Sequence, residues 1–254
     1  MLFILTGDVQ IGKTTWLSHA VDALTAAGVR CDGVLAPGVW EQRANGSFDK
    51  LGIDNVLLPE KTRLSFARRA DLARAEGTYD ENAQAARAAL RWHISDEAIR
   101  IVNRHFDALL TSQQDSVLVV RADGDDADRA DETSCPHGPH ETDGAGKSAR
   151  KANAGVPSGA SGMPVSARPL HPLRRVLVVD EVGQLELMRN EGLTSAVRLL
   201  EAGPRNIYAH ACLIARDRFG LVDEAERRFS RAWGGSVRIS PDQDAWEQLV
   251  APLL

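Results

Sequence analysis

The sequence has no long apolar run and few cysteines, and both absences narrow the class of protein. No stretch of its 254 residues approaches the ~20 apolar residues of a membrane-spanning helix. Residues 1–5 are apolar, but the run is too short for a signal peptide and no basic segment precedes it. Cys31, Cys135 and Cys212 are far apart and odd in number, which disfavours a disulfide framework. We therefore expect a cytoplasmic protein without a membrane partner.

The chain also lacks an excess of positive charge. Lysine and arginine number 30 and aspartate and glutamate 35, which gives a formal net charge of −5. Sequence-independent nucleic-acid binding requires a strongly basic surface, so no clear nucleic-acid footprint is expected. Hydrophobic residues make up 43% of the chain and charged residues 26%, a composition typical of a globular protein with a substantial core.

One segment, residues 121–172, has too little apolar content to form a core. It holds 6 of the 11 prolines and 7 of the 21 glycines, and it contains no aromatic residue and no isoleucine. Its first part, residues 121–143, carries a net charge of −6, and the rest carries +4. Such a composition cannot bury enough apolar surface to offset the entropy lost on ordering. We interpret it as a disordered insertion that interrupts one domain made of residues 1–120 and 173–254.

Outside this insertion, short apolar runs alternate with helical patterns. Strands are predicted at residues 2–6, 32–39, 51–58, 117–120, 175–179, 207–214 and 236–239. Helices are predicted at residues 13–27, 81–91 and 191–202, after the cap Ser95, and from the turn at 240–243. Because strands that are apolar throughout are covered on both faces, this alternation predicts a three-layer α/β fold with a mostly parallel sheet.

The first predicted strand leads into a loop that fits the phosphate-loop pattern of Gly, four residues, then Gly-Lys-Ser/Thr. In that pattern glycines let the backbone curl, so that successive N–H groups point into one concavity at the start of a helix. Lys13 would reach the β- and γ-phosphates of a nucleoside triphosphate, and the Thr14 hydroxyl would ligate Mg²⁺. The alternative is a glycine-rich turn with an exposed lysine. The predicted phosphate-binding residues are Gly7, Asp8, Val9, Gln10, Ile11, Gly12, Lys13, Thr14 and Thr15.

A second motif, Asp180-Glu181, follows the apolar run of residues 176–179. A phosphate-loop enzyme places a carboxylate at the end of a buried strand, opposite its Mg²⁺-binding hydroxyl, so Asp180 is predicted to hold Mg²⁺ directly or through water. Glu181 lies one residue further and would orient or deprotonate the attacking water. Glu181 and Lys13 are therefore the candidate catalytic residues. The alternative interpretation makes Asp180 a helix N-cap and Glu181 a solvated charge.

Three further features give weaker signals. Residues 144–148 mimic a phosphate loop but lack its first glycine and a preceding strand, so we reject them. Residues 135–140 hold one cysteine and two histidines that would bind a soft metal, although no fourth ligand is evident. A basic cluster either supplies an arginine that neutralises the leaving phosphate or forms a solvated helix face. Its members are Lys61, Arg63, Arg68, Arg69 and Arg74.

The two motifs together resemble those of the THEP1-type nucleoside-triphosphatases. The resemblance lies in residues 6–7 and 12–15 and, more specifically, in residues 180–187, which read Asp-Glu-Val-Gly-Gln-Leu-Glu-Leu. It implies a phosphate-loop α/β fold and slow Mg²⁺-dependent hydrolysis of ATP, GTP or other nucleoside triphosphates. It also implies that Glu181 is the water-activating carboxylate and that Glu186 has a structural or supporting role.

The chain also departs from that family at several places. The loop interior lacks the Pro-Gly pair often seen there, and residues 41–46 only partly match a stretch that ends in an arginine. Residues 208–210 read Tyr-Ala-His where Val-Val-Arg is expected, and residues 121–172 are foreign to the pattern. The arginine that assists catalysis is therefore not identified from the sequence.

Two alternatives to a hydrolase stay open. A small-molecule kinase on the same scaffold would need an acceptor pocket and an arginine-bearing lid, for which residues 60–94 are candidates. A nucleotide-dependent switch would bind nucleotide with negligible turnover and dock a protein partner on residues 121–172. No base-reading motif such as Asn-Lys-x-Asp is present, so the base preference stays open as well.

Overall fold

The computed structural model describes residues 1–122 and 175–254 of the chain. The predicted insertion, and with it the motifs at residues 135–140 and 144–148, lies outside the described residues except for positions 121 and 122. Within the described ranges, no helix is long and apolar enough to cross a membrane.

A nine-stranded sheet forms the centre of the described structure. The strands are β1 (Leu2–Leu5), β2 (Arg30–Leu35), β3 (Gly38–Gln42), β4 (Phe48–Leu58), β5 (Thr62–Arg69), β6 (Trp92–Ile94), β7 (Arg175–Val182), β8 (Tyr208–Ala215) and β9 (Ser236–Ile239). Their order in the sheet is β6-β5-β4-β2-β7-β8-β1-β9, and β3 pairs with the outer part of β4. β7 therefore lies near the middle of the sheet and β1 lies next to its β9 edge, with β8 between them.

Eight α-helices and two 3₁₀ helices connect the described strands. They are α1 (Lys13–Ala26), α2 (Ala70–Ala75), α3 (Gln84–Arg87), α4 (Asp96–Ala122), α5 (Gln184–Arg189), α6 (Thr194–Ala202), α7 (Leu221–Phe229) and α8 (Gln243–Leu249), with 3₁₀ helices at Ser230–Trp233 and Ala251–Leu253. The chain is thus an α/β protein, as its alternating pattern predicts.

Two apolar clusters, one on each face of the sheet, make up the core. Leu2, Ile4, Leu177 and Val179 point to the cluster that α4, α6 and α7 cover. Their strand neighbours, including Phe3, point to the other cluster, which α1 and α8 cover. Because successive residues of β1 and β7 are buried on alternate faces, these strands are apolar throughout. The result is the expected helix–sheet–helix arrangement.

The sheet is mixed, so the prediction of a mostly parallel sheet is only partly right. β2, β7, β8, β1 and β9 are parallel neighbours, whereas β3, β4, β5 and β6 join the sheet through antiparallel pairings. The connections between the second and fifth strands are residues 36–37, 43–47 and 59–61. Such short connections permit antiparallel hairpins, because a parallel crossover requires a dozen or more residues.

The apolar tetrapeptide at residues 117–120 is helical, so the strand prediction for it is wrong. It lies near the end of α4, which runs unbroken over Asp96–Ala122. The helix begins as predicted, with the Ser95 hydroxyl 3.4 Å from the N–H of Ala98. Residues 96–122 contain no glycine or proline, so the continuing helix overrides the local β preference of Val-Leu-Val-Val.

Two predicted elements before this helix are also divided or shortened. Residues 32–39 form β2 and the start of β3 rather than one strand, because Pro37 cannot donate to a ladder and the chain turns there. The helix predicted at residues 81–91 is reduced to the four residues of α3. Ala89, at a φ of 51°, then turns the chain toward β6.

The helices after β7 differ from prediction in three ways. The helix expected at residues 191–202 begins at Thr194, and the separate α5 precedes it. The turn at residues 240–243 predicts that the last helix opens at Ser240, but Asp242 caps it. The Asp242 carboxylate accepts a hydrogen bond from the N–H of Ala245 at 2.9 Å. Helix α7 was not predicted, although its buried residues Leu221, Val222, Ala225 and Phe229 have helical spacing.

Candidate functional site

Residues 7–12, called the glycine loop below, connect β1 to α1 at the carboxyl end of the parallel strands. Gly7 and Gly12 have φ values of +121° and +90°, a region of backbone conformation that favours glycine. A Cβ atom on Gly7 would lie 2.6 Å from Cδ1 of Ile11. The Ile11 side chain is exposed and could move aside, so the backbone conformation is what favours glycine at the first position of the loop.

The start of α1 offers unpaired backbone donors. Within the described structure, the N–H groups of residues 12–15 donate to no carbonyl and to no side chain. The side chains of Val9 and Ile11 are 70% and 43% exposed, so these two residues contribute backbone rather than side-chain chemistry. Unpaired N–H groups at the positive end of a helix dipole are suited to binding an anion.

The Lys13 ammonium lies against the glycine loop. Its Nζ donates to the carbonyl oxygens of Gly7 at 2.8 Å and Asp8 at 2.6 Å. Burial lowers the pKa of Lys13, and the negative charge of Glu181 is the largest of the effects that oppose this. The lysine and the second motif therefore share one electrostatic environment, although they are 168 residues apart in sequence.

Asp180 is buried at the carboxyl end of β7, with 3% of its surface exposed. Its Oδ2 accepts a hydrogen bond from the N–H of Ala36, just after β2, at 3.0 Å. Burial raises the pKa of Asp180 to about 6, and hydrogen bonds from Ala36 and from the Thr14 side chain oppose this rise. The N-cap of α5 is Gly183, so the alternative interpretation of Asp180 as a helix N-cap is wrong.

Glu181 forms an ion pair with Arg216. Nε of Arg216 lies 2.6 Å from Oε1 of Glu181, and both side chains are partly exposed. Arg216 directly follows β8, the neighbour of β7, so the two residues leave adjacent strands at the same edge of the sheet. Residues 208–210, where the resemblance predicts an arginine, lie at the opposite end of β8, so the sequence did not identify Arg216. The available signal was a basic residue at the carboxyl end of a strand beside β7.

Lys50, on β4, is a second cation that the sequence analysis missed. Its Nζ lies 5.8 Å from the ring centre of Trp40 and 5.4 Å from that of Trp92. Burial lowers the pKa of Lys50, and the charge of Glu181 again opposes this most strongly, with a smaller contribution from Asp180. The sequence gives no local signal for this placement, because three separate strands bring these side chains together.

Glu186, for which the resemblance implies a structural or supporting role, is buried beneath the second motif. Its two carboxylate oxygens accept hydrogen bonds from the N–H groups of Gly183 and Leu193, each at 2.9 Å. These bonds tie the start of α5 to the segment before α6. Through Gly183, Glu186 therefore fixes the backbone that follows Glu181 without contacting the glycine loop.

The basic cluster of residues 61–74 is mostly ion-paired away from the glycine loop. Arg63, Arg68 and Arg69 lie on β5, so the prediction of a helix face is wrong for them. Lys61 pairs with Asp22 at 2.9 Å, and the three arginines pair with Asp54, Glu76 and Asp71 respectively. Arg74 stacks on the ring of Tyr79. No described contact joins this cluster to Lys13, Asp180 or Glu181.

A cavity of about 620 Å³ opens within residues 60–94, the segment that the kinase alternative requires. Its lining includes Arg69, Arg74, Tyr79 and Arg91. The glycine loop does not contribute to it. The lining also includes Asp71, which pairs with Arg69, and the structure does not join the cavity to the phosphate-binding candidates.

Thr14 and Asp180 are the described residues that fit a Mg²⁺ ion. Both present hard oxygen donors, and Mg²⁺ in nucleotide sites is held by one or two protein oxygens together with waters and substrate phosphates. Among the described residues, no group of three His, Cys, Asp or Glu side chains is placed to hold a metal. The donor set thus suits a metal that arrives with a phosphorylated substrate.

Comparison with known proteins adds no relative to these observations. No family model, no curated protein and no solved structure matches the chain. The resemblance to the THEP1-type nucleoside-triphosphatases therefore stays a prediction, and function has to be inferred from the site's own residues.

Proposed function

We propose that the chain is a Mg²⁺-dependent nucleoside-triphosphatase, which hydrolyses ATP, GTP or another nucleoside triphosphate to the diphosphate and phosphate. Glu181 and Asp180 act on the pKa of Lys13, and the Thr14 side chain acts on that of Asp180. The observation that carries this proposal is therefore the proximity of the first motif, at the start of α1, to the second, at the end of β7. It joins two motifs from distant parts of the sequence at one edge of the sheet. Each motif alone is a weak signal, whereas their juxtaposition is what phosphoryl-transfer chemistry requires.

The glycine loop and the start of α1 would bind the phosphates. The unpaired N–H groups of residues 12–15 and the positive end of the helix dipole both favour an anion. Lys13 would exchange its hydrogen bonds to the Gly7 and Asp8 carbonyls for stronger, charge-assisted bonds to phosphate oxygens. Mg²⁺, when bound through Thr14 and Asp180, would supply positive charge to the β- and γ-phosphate oxygens.

Glu181 would act on the attacking water. The water oxygen forms a bond to the γ-phosphorus while the bond from that phosphorus to the bridging oxygen breaks. The diphosphate leaves with the electron pair, and the Glu181 carboxylate accepts the proton of the water. Arg216 holds Glu181 through the ion pair of 2.6 Å, so the carboxylate has a defined orientation before the substrate arrives.

Phosphate release from ATP, GTP, CTP and UTP, measured with Mg²⁺ and with EDTA, tests this function. We expect phosphate release in the presence of Mg²⁺ and none with EDTA. The rate should fall about 100-fold or more in Lys13→Met, because one donor to the transferred phosphate is removed. Lys61→Met is the matched control, since Lys61 is an exposed lysine paired with Asp22, and it should retain the wild-type rate.

Two results would contradict the proposal. One is a wild-type protein that releases no phosphate from any of the four nucleotides, and the other is a Lys13→Met variant that keeps the full rate. Nucleotide binding without phosphate release would instead favour the switch. Transfer of phosphate to a hydroxyl acceptor without free phosphate would favour the kinase.

A further inference from the structure

A local irregularity of the sheet aims Lys50 at the candidate site. β3 and β4 pair as Val39 with Gly52 and then Trp40 with Lys50, so Leu51 is an extra residue on β4. Such a bulge redirects the side chains beside it, and bulges are frequent next to active sites. As a result Lys50 lies between the rings of Trp40, on the neighbouring strand β3, and Trp92, on β6.

Gly38 makes room for this arrangement. A Cβ atom at Gly38 would lie 2.5 Å from Nε1 of Trp40 and 2.8 Å from Cε of Lys50. Any larger residue would therefore displace the indole and the end of the lysine side chain. Both of these groups can move, so such a substitution would disturb the lysine more than the fold.

Lys50 differs from the other lysines of the described residues in having no polar partner. Lys13 donates to the glycine loop, and Lys61 pairs with Asp22. Lys50 is half-buried, and within the described structure its contacts are ring faces rather than a carboxylate or a carbonyl. The two ring faces stabilise the ammonium group and leave its N–H donors without a protein acceptor, so these donors can bind an anion.

Lys50 lies beside the segment that contacts Asp180. The N–H of Ala36 donates to Asp180 at 3.0 Å, and a Cβ atom on Gly38, two residues later, would lie 2.8 Å from Cε of Lys50. Glu181, Arg216 and Asp180 act on Lys50, and the same three groups act on Lys13. The two lysines therefore lie around one set of charges, Lys13 on the side of the glycine loop and Lys50 on the side of the β3–β4 hairpin. In the proposed function, the γ-phosphate lies next to Glu181, which is the group that acts most strongly on both ammonium groups.

We propose that Lys50, held between Trp40 and Trp92, is a second phosphate-binding lysine, which contacts the terminal phosphate and so distinguishes nucleoside triphosphates from diphosphates. This inference rests on the proposed function and adds a specificity-determining residue to it. Lys13 would bind both kinds of nucleotide, because it reaches the phosphates that both carry. Lys50, on the far side of Glu181, would contact only the phosphate that hydrolysis removes.

Calorimetric affinities for a non-hydrolysable ATP analogue and for ADP, each with Mg²⁺, test the inference. In Lys50→Met we expect the affinity for the analogue to fall about tenfold, the loss of one charge-assisted contact, while the affinity for ADP changes less than about twofold. Lys50→Arg keeps the charge and should recover part of the preference. Gly38→Ala, like Lys50→Met, should lower the preference for the ATP analogue over ADP. Lys61→Met is the control and should change neither affinity.

A lysine with only a structural role would lower both affinities together or neither, so the ratio of the two affinities is the decisive readout. An unchanged ratio in Lys50→Met and Gly38→Ala, in a protein that still binds and hydrolyses nucleotide, would overturn the inference and leave the proposed function intact. If Lys50→Met does not fold, the ratio in Lys50→Arg and Gly38→Ala decides. Failure of the wild-type protein to bind either nucleotide would overturn both proposals.

Discussion

Glu181 and Arg216 form an ion pair whose consequence is orientation rather than stability. The two side chains are 27% and 40% exposed, and exposed pairs of this kind contribute only about 0–1 kcal/mol to folding. A contribution of that size does not decide whether the chain folds. It does favour one position of the Glu181 carboxylate over others, and a general base depends on its position.

Glu186 is a single residue on which the backbone after Glu181 depends. We expect Glu186→Gln to destabilise the protein by about 1–3 kcal/mol, because an amide offers one acceptor oxygen where the N–H groups of Gly183 and Leu193 need two. Denaturant unfolding measures the difference. Glu247→Gln, an exposed position on the last helix, is the matched control and should change stability by less than about 0.5 kcal/mol.

The difference in stability between wild type and Glu186→Gln should depend on pH. Burial raises the pKa of Glu186 above its ordinary 4.5, so the fold favours the neutral carboxyl group more than the unfolded chain does. The stability that this group contributes is fully present below pH 4.5 and declines as the pH rises through the folded-state value. The difference in the free energy of unfolding between wild type and Glu186→Gln should therefore become smaller as the pH rises. A difference that becomes larger would contradict this assignment.

At the scale of elements, the parallel contact between β2 and β7 sets the distance between Ala36 and Asp180. Gly33 of β2 has a φ of +121°, and a Cβ atom there would overlap the backbone carbonyl of Val178. We expect Gly33→Ala to destabilise the fold by about 3 kcal/mol or more, because the two strands would have to separate. The melting temperature should fall by about 10 °C.

Gly46→Ala separates the steric effect from the backbone effect. Gly46 has a φ of +81°, and a Cβ atom there would meet nothing within 4 Å. This control should cost only the conformational strain of about 1 kcal/mol. Equal melting temperatures for Gly33→Ala and Gly46→Ala would contradict the close approach of β2 to β7.

Elements formed by neighbouring residues could be predicted from the sequence, and elements that depend on distant contacts could not. The apolar run of β1, the glycine loop and the amphipathic α1 follow one another, so local pattern sufficed for them. Residues 117–120 have the same four letters as part of β7 but are helical. β7 lies between β2 and β8, whereas the tetrapeptide continues a helix that has already begun.

The residues of the candidate site likewise fall into two groups, those that a local pattern predicts and those that distant contacts bring together. Glycine spacing predicted the loop, and a carboxylate after an apolar strand predicted Asp180 and Glu181. Lys50 carries no local signal, and the position of Arg216 at the end of a strand becomes informative only when the strand order places β8 beside β7. A sequence without its sheet order cannot show which basic residues reach the site.

At the scale of the molecule, the candidate site lies where the parallel and antiparallel parts of the sheet meet. The glycine loop, Asp180 and Arg216 follow parallel strands, whereas Lys50 comes from the antiparallel part. A nucleotide bound there would contact both parts. In the proposed function, the antiparallel strands, which the sequence did not mark as part of the site, would therefore take part in substrate recognition.

Hydrolysis with Glu181 as the general base is tested most directly by two measurements on the same samples of wild type and Glu181→Gln. These are the rate of phosphate release and the affinity for the nucleotide. We predict that Glu181→Gln binds the nucleotide within about threefold of wild type and loses about 100-fold or more of the rate, the usual contribution of a general base. Glu60→Gln, at an exposed position, is the control. A Glu181→Gln variant that releases phosphate at the wild-type rate would show that Glu181 is not the general base.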